Sequence, residues 1–486
     1  MTKIQNEFKK IDNILFEDAG TNGANDYLVQ ISWILFLKYL EDLEESRQQE
    51  AIFSTKDYEP LFKEEFRWNH WASPKKIDGS YDLSAQLTGG DLIDFVNNKL
   101  FPYLKQFKNT AQDPRSLLYK IGEIFGEVTN KIQSGQNLRE VIDIVDKLEF
   151  KTQDELDDLS VLYEDRLKLL GGAGRSGEFY TPRPLIQTII AALDIPLHKT
   201  VYDGAAGTAG FLTESYVYLR KKAKTPSDLR FLNQDTLFGK NKKPDPYLLG
   251  TMNMIIHGIE SPNMEHANTL AEDTQDIKEK DRFDYILANP PFGGDERVEV
   301  QRNFKIKTSE TANMFMQHFM KRLKVGGEAA IVIKNTFLTN EPTGATGVIR
   351  RELLDNFNLH TILDLPGGVF RANSSTGVKT VVLFLKKGEP TKQIFYYQLN
   401  LDRNLGKSAP LGLDDMSDFL NSYKSREETR NSWSIDVQNI DRNTFDLGVR
   451  NPNEPVVATV KTPAELVNSI AQLDTRILEI MKGIKF

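Results

Sequence analysis

The sequence predicts an α/β sheet domain, preceded by an all-helical region and followed by one separate helix. Three observations carry this reading. First, Thr200-Val201-Tyr202 runs into a turn of small residues, Asp203-Gly204-Ala205-Ala206-Gly207-Thr208-Ala209-Gly210, and then into a helix-like run through Leu219. Strand, tight turn and helix in that order open a nucleotide-binding sheet. Second, the apolar run Tyr285-Ile286-Leu287-Ala288 stops abruptly at Asn289-Pro290-Pro291-Phe292, as a buried strand does when it ends in a stiff loop. Third, apolar residues near the start recur at helical rather than alternating spacing, as in Leu28, Ile31, Leu35 and Tyr39 and again in Leu117, Ile121 and Ile124.

Taken in order, residues 1–165 read as a helical domain. Its aromatic patch, Trp68-Asn69-His70-Trp71, reads as structural rather than as a base-stacking surface. Residues 166–450 alternate strands and helices. Strands are expected at 201–203, 236–238, 285–288, 329–333, 361–364 and 380–385, with a helix at 311–323. Such alternation predicts a mostly parallel sheet covered on both faces, with ligand at the carboxyl ends of its strands. Asp203 and Asn289 both fall at strand ends. Residues 451–486 begin with the linker Asn451-Pro452-Asn453-Glu454-Pro455. Beyond it Leu466, Ile470, Leu473, Ile477, Ile480 and Ile484 alternate spacings of four and three, an a/d seam suited to a partner helix.

Composition narrows the chemistry. The chain has 486 residues and no cysteine. That excludes disulfides, cysteine-ligated zinc and ring-carbon methylation of cytosine, which needs a cysteine nucleophile. The six histidines show no metal-ligand spacing, and His257 reads as structural. No signal peptide and no run long enough to cross a membrane is evident; 31–40 is too short and is broken by Ser32 and Lys38. The net charge of −8 is wrong for a free-standing DNA binder, because phosphate contacts dominate affinity. Basic runs at Arg220-Lys221-Lys222 with Lys224, and at Lys240-Asn241-Lys242-Lys243, read mainly as solvated surface.

Asn289-Pro290-Pro291-Phe292 is the most specific segment. Each proline fixes its own φ and restricts the residue before it. The Asn289 side-chain oxygen and the Pro290 carbonyl are thereby presented together, as two acceptors for an amino group with two hydrogens. Phe292 adds a flat face on which a ring can stack. This suits methyl transfer to the exocyclic amine of a nucleic-acid base. The turn at 203–210 lets backbone approach a ligand closely, and Asp203 offers a carboxylate to a cation. Its spacing is not that of the dinucleotide fingerprint.

Together these residues resemble the amino-methyltransferases of DNA, and most closely the methylation (M) subunits of type I restriction-modification systems. Gly177-Glu178-Phe179-Tyr180-Thr181-Pro182 is similar to the family segment that lines the S-adenosylmethionine pocket. Met252-Asn253-Met254-Ile255-Ile256-His257-Gly258, Asn268-Thr269-Leu270 and Pro366-Gly367-Gly368-Val369-Phe370 also resemble family segments. Cofactor motifs precede the catalytic loop, the order of the gamma group. The resemblance implies a Rossmann-like class I S-adenosylmethionine-dependent methyltransferase sheet. Its implied catalytic residues are Asn289, Pro290, Pro291 and Phe292. Its implied cofactor contacts are Glu178, Phe179, Tyr180, Thr181, Asp203, Gly204, Gly207, Thr208, Gly210, Phe211, Asn241 and Asn268; no metal is implied. The implied reaction is N6 methylation of a flipped adenine in a bacterial or archaeal cytoplasm. A specificity (S) subunit would supply the target sequence, docking on the C-terminal helix. A restriction (R) subunit and double-stranded DNA are the other implied partners. Methylation of cytosine N4 or of a protein glutamine, and a non-catalytic assembly role, are the alternatives.

Two positions depart from the family pattern. Gly204 stands where proline is usual, which predicts a looser turn. Asn241 stands where a glutamate usually grips the ribose hydroxyls, which predicts weaker cofactor binding and a gain from Asn241→Glu.

Overall fold

In the computed structural model, the central strands form where the pattern is apolar and bounded by breakers, and the edge strands form with little apolar pattern. The strands are β1 (Val201–Asp203), β2 (Leu237–Asn241), β3 (Asn263–His266), β4 (Phe283–Ala288), β5 (Leu323–Lys334), β6 (Phe357–Asp364), β7 (Thr380–Lys387), β8 (Gln393–Gln398) and β9 (Ser432–Asp436). The structure describes residues 3–54, 58–76, 78, 80–148, 150, 155, 159–160, 163, 180–259, 261–341, 343–370, 378–406, 408–453 and 463–483.

The nine strands among the described residues join one sheet in the order β3-β2-β1-β4-β5-β7-β6-β8-β9. From β3 to β5 every pairing is parallel. Beyond β5 the sheet is mixed: β7 lies antiparallel between β5 and β6, β8 is parallel to β6, and β9 is antiparallel to β8. The parallel half is the half that matters for ligand. Its order turns back on itself between β1 and β4, and loops leaving neighbouring strands in opposite directions open a crevice there.

Helices cover both faces, as the near-continuous apolar runs of buried strands require. Leu212 of the helix Gly210–Arg220 and Leu248 and Met252 of the helix Pro244–Ile256 join one core cluster with Val201, Leu287 and Val332. Met314 and Phe315 of the helix Thr311–Arg322 and Leu353 of the helix Ala345–Asn356 join the other, with Ile286, Ile331 and Leu383. Alternate residues of β4 and β5 thus serve opposite cores, as the period of two dictates.

The helical front shares the first of these cores: Ile31, Leu35, Ile121 and Ile124 belong to it. Its longest helix, Gly23–Ser54, also buries carboxylates. Each one terminates a loop: Glu41 accepts from Trp68 N, Glu44 from Leu61 N and Asp42 from Phe150 N, all at 3.0 Å. Arg67 and Lys38 pair the charges of Glu41 and Asp42, both at 2.6 Å, and the backbone amides satisfy further carboxylate oxygens. Trp68 and Trp71 are buried edge to face, and Trp68 Nε1 donates to Asp146 at 2.7 Å.

The front is tied to the sheet as well. Lys120 Nζ donates to Met264 O at 2.9 Å, and Tyr247 Oη donates to Glu123 at 2.5 Å. No helix among the described residues is long and apolar enough to cross a membrane.

Candidate active site

β1 ends at Asp203, whose carboxylate is fully buried and accepts from Ala205 N at 2.9 Å. Burial outweighs that hydrogen bond and pushes the carboxyl up to about 7. A carboxylate so desolvated is poised for a cation.

The turn after Asp203 is held at several points. Gly204 O accepts from Thr269 Oγ1 at 2.5 Å, and Ala206 N donates to Lys240 O at 3.1 Å. Both bonds tie the turn to the strands and loops beside it. A Cβ at 204 would lie 2.9 Å from Tyr202 Oη and 3.0 Å from Phe319. Tyr202, stacked on Phe283 and hydrogen-bonded to the buried His318 at 3.1 Å, fills the volume a side chain would need. Glycine at 204 thus follows from tyrosine at 202. Gly207 and Ala209 take positive φ of 53° and 64°, which rotates the chain into the helix Gly210–Arg220.

Asn241 lines the cavity, but both ends of its amide are engaged by the turn. Its Oδ1 accepts from Gly207 N at 3.2 Å, and its Nδ2 donates to Gly207 O at 2.6 Å. The side chain at the end of β2 acts as a brace across to β1.

Two residues of the helix Pro244–Ile256, which no cofactor reading of the sequence singled out, complete this brace. Asn253, fully buried, donates to Thr208 O at 2.9 Å. Gly250 has no room for a side chain, since its Cβ would lie 2.9 Å from Gly207 O. A polar residue inside the apolar run Met252–Met254 is the sequence signal for the first, because buried amides are hydrogen-bonded.

β4 pairs with β1 in parallel, Tyr202 opposite Ile286, so its carboxyl end opens beside the same turn. Asn289 Nδ2 donates to Thr181 Oγ1 at 2.9 Å. Pro290, Pro291 and Gly293 face the cavity. Phe292 turns away: it is 6% exposed and packs edge-on against Phe370, with centroids 5.8 Å apart at 85°. The loop beyond is closed by Thr311, whose Oγ1 donates to Gly294 O at 2.7 Å.

The cavity between these strand ends has a volume of about 670 Å³. It brings together Tyr180, Thr181, Asp203, Gly204, Gly207 and Thr208 with Gly210, Phe211, Asn241 and Asn268, and with Asn289, Pro290 and Pro291 of the β4 loop. Asn268 also caps its own turn, accepting from Leu270 N at 3.2 Å. Glu178 and Phe179 lie outside the described residues.

Of the basic run at 240–243, Lys240 pairs with Glu265 at 3.0 Å and Lys242 with Glu296 at 2.6 Å. Lys222 of the other run pairs with Asp194 at 2.7 Å. These cations are therefore largely spent within the chain. The helical front reaches the cavity rim, where Asn25 Nδ2 donates to Asp245 at 3.1 Å. His257 caps its own helix through Nδ1 and Asn253 O, 2.8 Å apart.

The geometry has counterparts in known proteins. The N-6 DNA methylase family matches residues 154–459. The HsdM N-terminal domain family matches residues 4–145. The EcoEI type I methylase subunit of Escherichia coli is 33% identical over 98% of this chain and 95% of its own length. The EcoKI methylase subunit of the same species is 29% identical over 89% of this chain and 78% of its own. Among solved structures, a modification subunit of a type I restriction enzyme from Vibrio vulnificus YJ016 superposes with a TM-score of 0.82. It is 34% identical and covers 93% of this chain and 96% of the other. A chain from a study of type I restriction-modification assembly gives 0.77 at 33% identity, covering 99% and 96%. Two strand ends that pair a buried carboxylate with an Asn-Pro-Pro-Phe loop, and near full-length similarity to such proteins, lead to one conclusion: the chain belongs to the N-6 DNA methylase family, as a methylation subunit of the type I restriction-modification kind and a DNA methyltransferase.

Proposed function

We propose that this chain transfers the methyl group of S-adenosylmethionine to the N6 amine of an adenine turned out of duplex DNA, at a sequence read by a separate specificity subunit. The observation that carries the proposal is the shared cavity: Asn289 and Pro290 stand in the same wall system as Asp203 and the small-residue turn. The donor set suits this cofactor. Asp203 is a buried carboxylate in need of a cation such as the ammonium of the methionine moiety. The turn at 204–210 exposes backbone without bulk. The lining at Ile186, Leu249 and Phe211 is apolar, as a nucleoside base requires. When bound, the sulfonium supplies an electrophilic methyl group.

The protein's part is orientation and electrostatics. The target base leaves the duplex because its amine is unreachable within the stack. Asn289 Oδ1 and Pro290 O accept the two amine hydrogens, which localises the nitrogen lone pair and aims it. Phe292, seated against Phe370 and outside the cavity lining, backs the two prolines rather than offering the ring face expected from the sequence. Asn289 cannot act as a base, so the displaced proton leaves to water or a carbonyl with or after methyl transfer.

The C-terminal helix Pro463–Gly483 supports a separate reader of sequence. Leu466, Ile470, Leu473 and Ile477 are 47–60% exposed along one seam. This chain leaves that seam uncovered, and a helix of the specificity subunit is the proposed cover. Ile480 and Ile484 lie outside the described side chains. The net charge of −8 and the internally paired lysines fit a subunit that relies on partners for DNA affinity, in the cytoplasm of a bacterium or archaeon. A restriction subunit completes the proposed assembly. We divide the chain into 1–165 for the helical domain, 166–450 for catalysis and 451–486 for docking.

The test is methyl transfer from labelled S-adenosylmethionine to genomic DNA, with the specificity subunit co-expressed, beside the chain alone and Asn289→Ala. Label on adenine N6 only in the complex, lost in Asn289→Ala, is the expected result. Label on cytosine would move the acceptor to N4. A stable, DNA-binding complex with no label would leave an assembly subunit.

A further inference from the structure

The Asn289 carboxamide is oriented from far away in the chain. Its Nδ2 donates at 2.9 Å to the hydroxyl of Thr181, 108 residues earlier. Thr181 is buried and lines the same cavity. Both residues immediately precede a proline, Pro182 and Pro290, and a residue before proline is confined to extended backbone. Two proline-stiffened segments therefore face each other across this hydrogen bond. Pro182 is fixed in turn, since its carbonyl accepts from Leu185 N at 3.0 Å at the start of the helix Arg183–Leu193.

The bond matters because a carboxamide has two ends of nearly equal shape and opposite chemistry. Packing does not distinguish them; hydrogen-bond partners do. The oxygen end accepts a hydrogen from an incoming amine. The nitrogen end would set N–H against N–H and would leave the amine lone pair delocalised into the ring. A partner that takes the nitrogen end decides which end is left for the amine.

We propose that Thr181 is a positioning residue for methyl transfer: its hydroxyl accepts from Asn289 Nδ2 and so turns the carboxamide oxygen toward the target amine. This rests on the functional reading above and assigns Thr181 a task beyond cofactor contact. The hydroxyl has one proton, and any acceptor in the cavity that takes it leaves the oxygen able only to accept, which fixes the carboxamide in the productive sense.

The test uses the complex with its specificity subunit and compares wild type, Thr181→Val and Thr181→Ser. Steady-state methyl transfer gives kcat and KM, and calorimetry gives S-adenosylhomocysteine affinity for each folded protein. Valine keeps the shape and removes the hydroxyl. Its kcat is expected to fall about 10- to 100-fold, the scale of a misoriented catalytic group, with S-adenosylhomocysteine affinity held within about threefold. Serine restores the hydroxyl and is expected to return kcat to within about threefold of wild type. A valine variant that loses cofactor affinity but keeps kcat at saturation would make Thr181 a cofactor contact alone and overturn the proposal. So would a valine variant with unchanged kcat, or a serine variant as slow as valine, which would mean packing. A wild-type complex that transfers no methyl group would defeat the underlying functional reading first.

Discussion

The two halves of the cavity reach rigidity by opposite means. On the β1 side the wall is backbone. Small residues turn at positive φ, and amides from Asn241 and Asn253 brace the turn from behind. On the β4 side the wall is a pair of prolines backed by Phe292 against Phe370, with one side chain tethered to Thr181. The first half is vulnerable to added atoms, because its ligand must reach the main chain. The second is vulnerable to the loss of single polar atoms, because its geometry is already fixed by covalent rings.

The contrast can be broken most severely at Asn289. Asn289→Ala should lower methyl transfer about 100- to 1000-fold, the scale for removing one preorganised hydrogen-bonding group. Cofactor affinity, measured by calorimetry, should stay within about threefold. A parallel loss of affinity would mean that the two halves are not separable.

Gly250→Ala tests the opposite weakness by adding one carbon, 2.9 Å from Gly207 O. Backbone cannot yield as a side-chain tip can, so a cost of about 1–3 kcal/mol in stability is expected, with weaker cofactor binding. Thermal unfolding and titration together check it.

Asn241→Glu sharpens the comparison, because sequence and structure forecast opposite results. A glutamate suits ribose hydroxyls, but here it would remove the donor to Gly207 O and set a carboxylate against that carbonyl. An unmet carbonyl costs about 1–3 kcal/mol, so cofactor affinity should fall by about tenfold. A gain on titration would restore the simpler reading.

The pH dependence of cofactor binding follows from Asp203, whose carboxyl burial raises to about 7. A bound cation favours the ionised form and lowers that pKa. Below about 7, binding therefore has to expel a proton. Affinity should be full above this value and weaken by up to about tenfold per unit as pH falls through it. Asp203→Asn should flatten the profile.

Asn25→Ala, which removes the 3.1 Å bond from the helical front to Asp245, should change cofactor affinity by no more than about 0.5 kcal/mol, as exposed substitutions do. A larger loss would make the front a true wall of the site.

Much of this was legible in advance. β1, β4 and the two motifs at their ends could be read from short apolar runs that stop at breakers. β3 and β9 escaped that reading because they are the edges of the sheet. An edge strand pairs on one side and needs little apolar pattern, as the stretch Asn263–His266 shows. β8 was missed as well, although its Ile-Phe-Tyr-Tyr run has the apolar pattern of a strand. β5 starts earlier than its apolar core, at Leu323, because the strand continues through Gly326 and Gly327, a pair that on its own reads as a turn.

The sequence by itself determined the chemistry on offer: a carboxylate after one strand, an amide and a carbonyl stiffened by prolines after another, and no thiol to compete. Tertiary structure alone decided how those groups are used. It committed Asn241 to Gly207, turned Phe292 onto Phe370, let Tyr202 demand a glycine at 204, and delivered Thr181 to Asn289. The physical reason is range. Periodicity and breakers report the backbone of a few neighbouring residues, whereas the partner of a side chain is set by whichever distant segment packs against it.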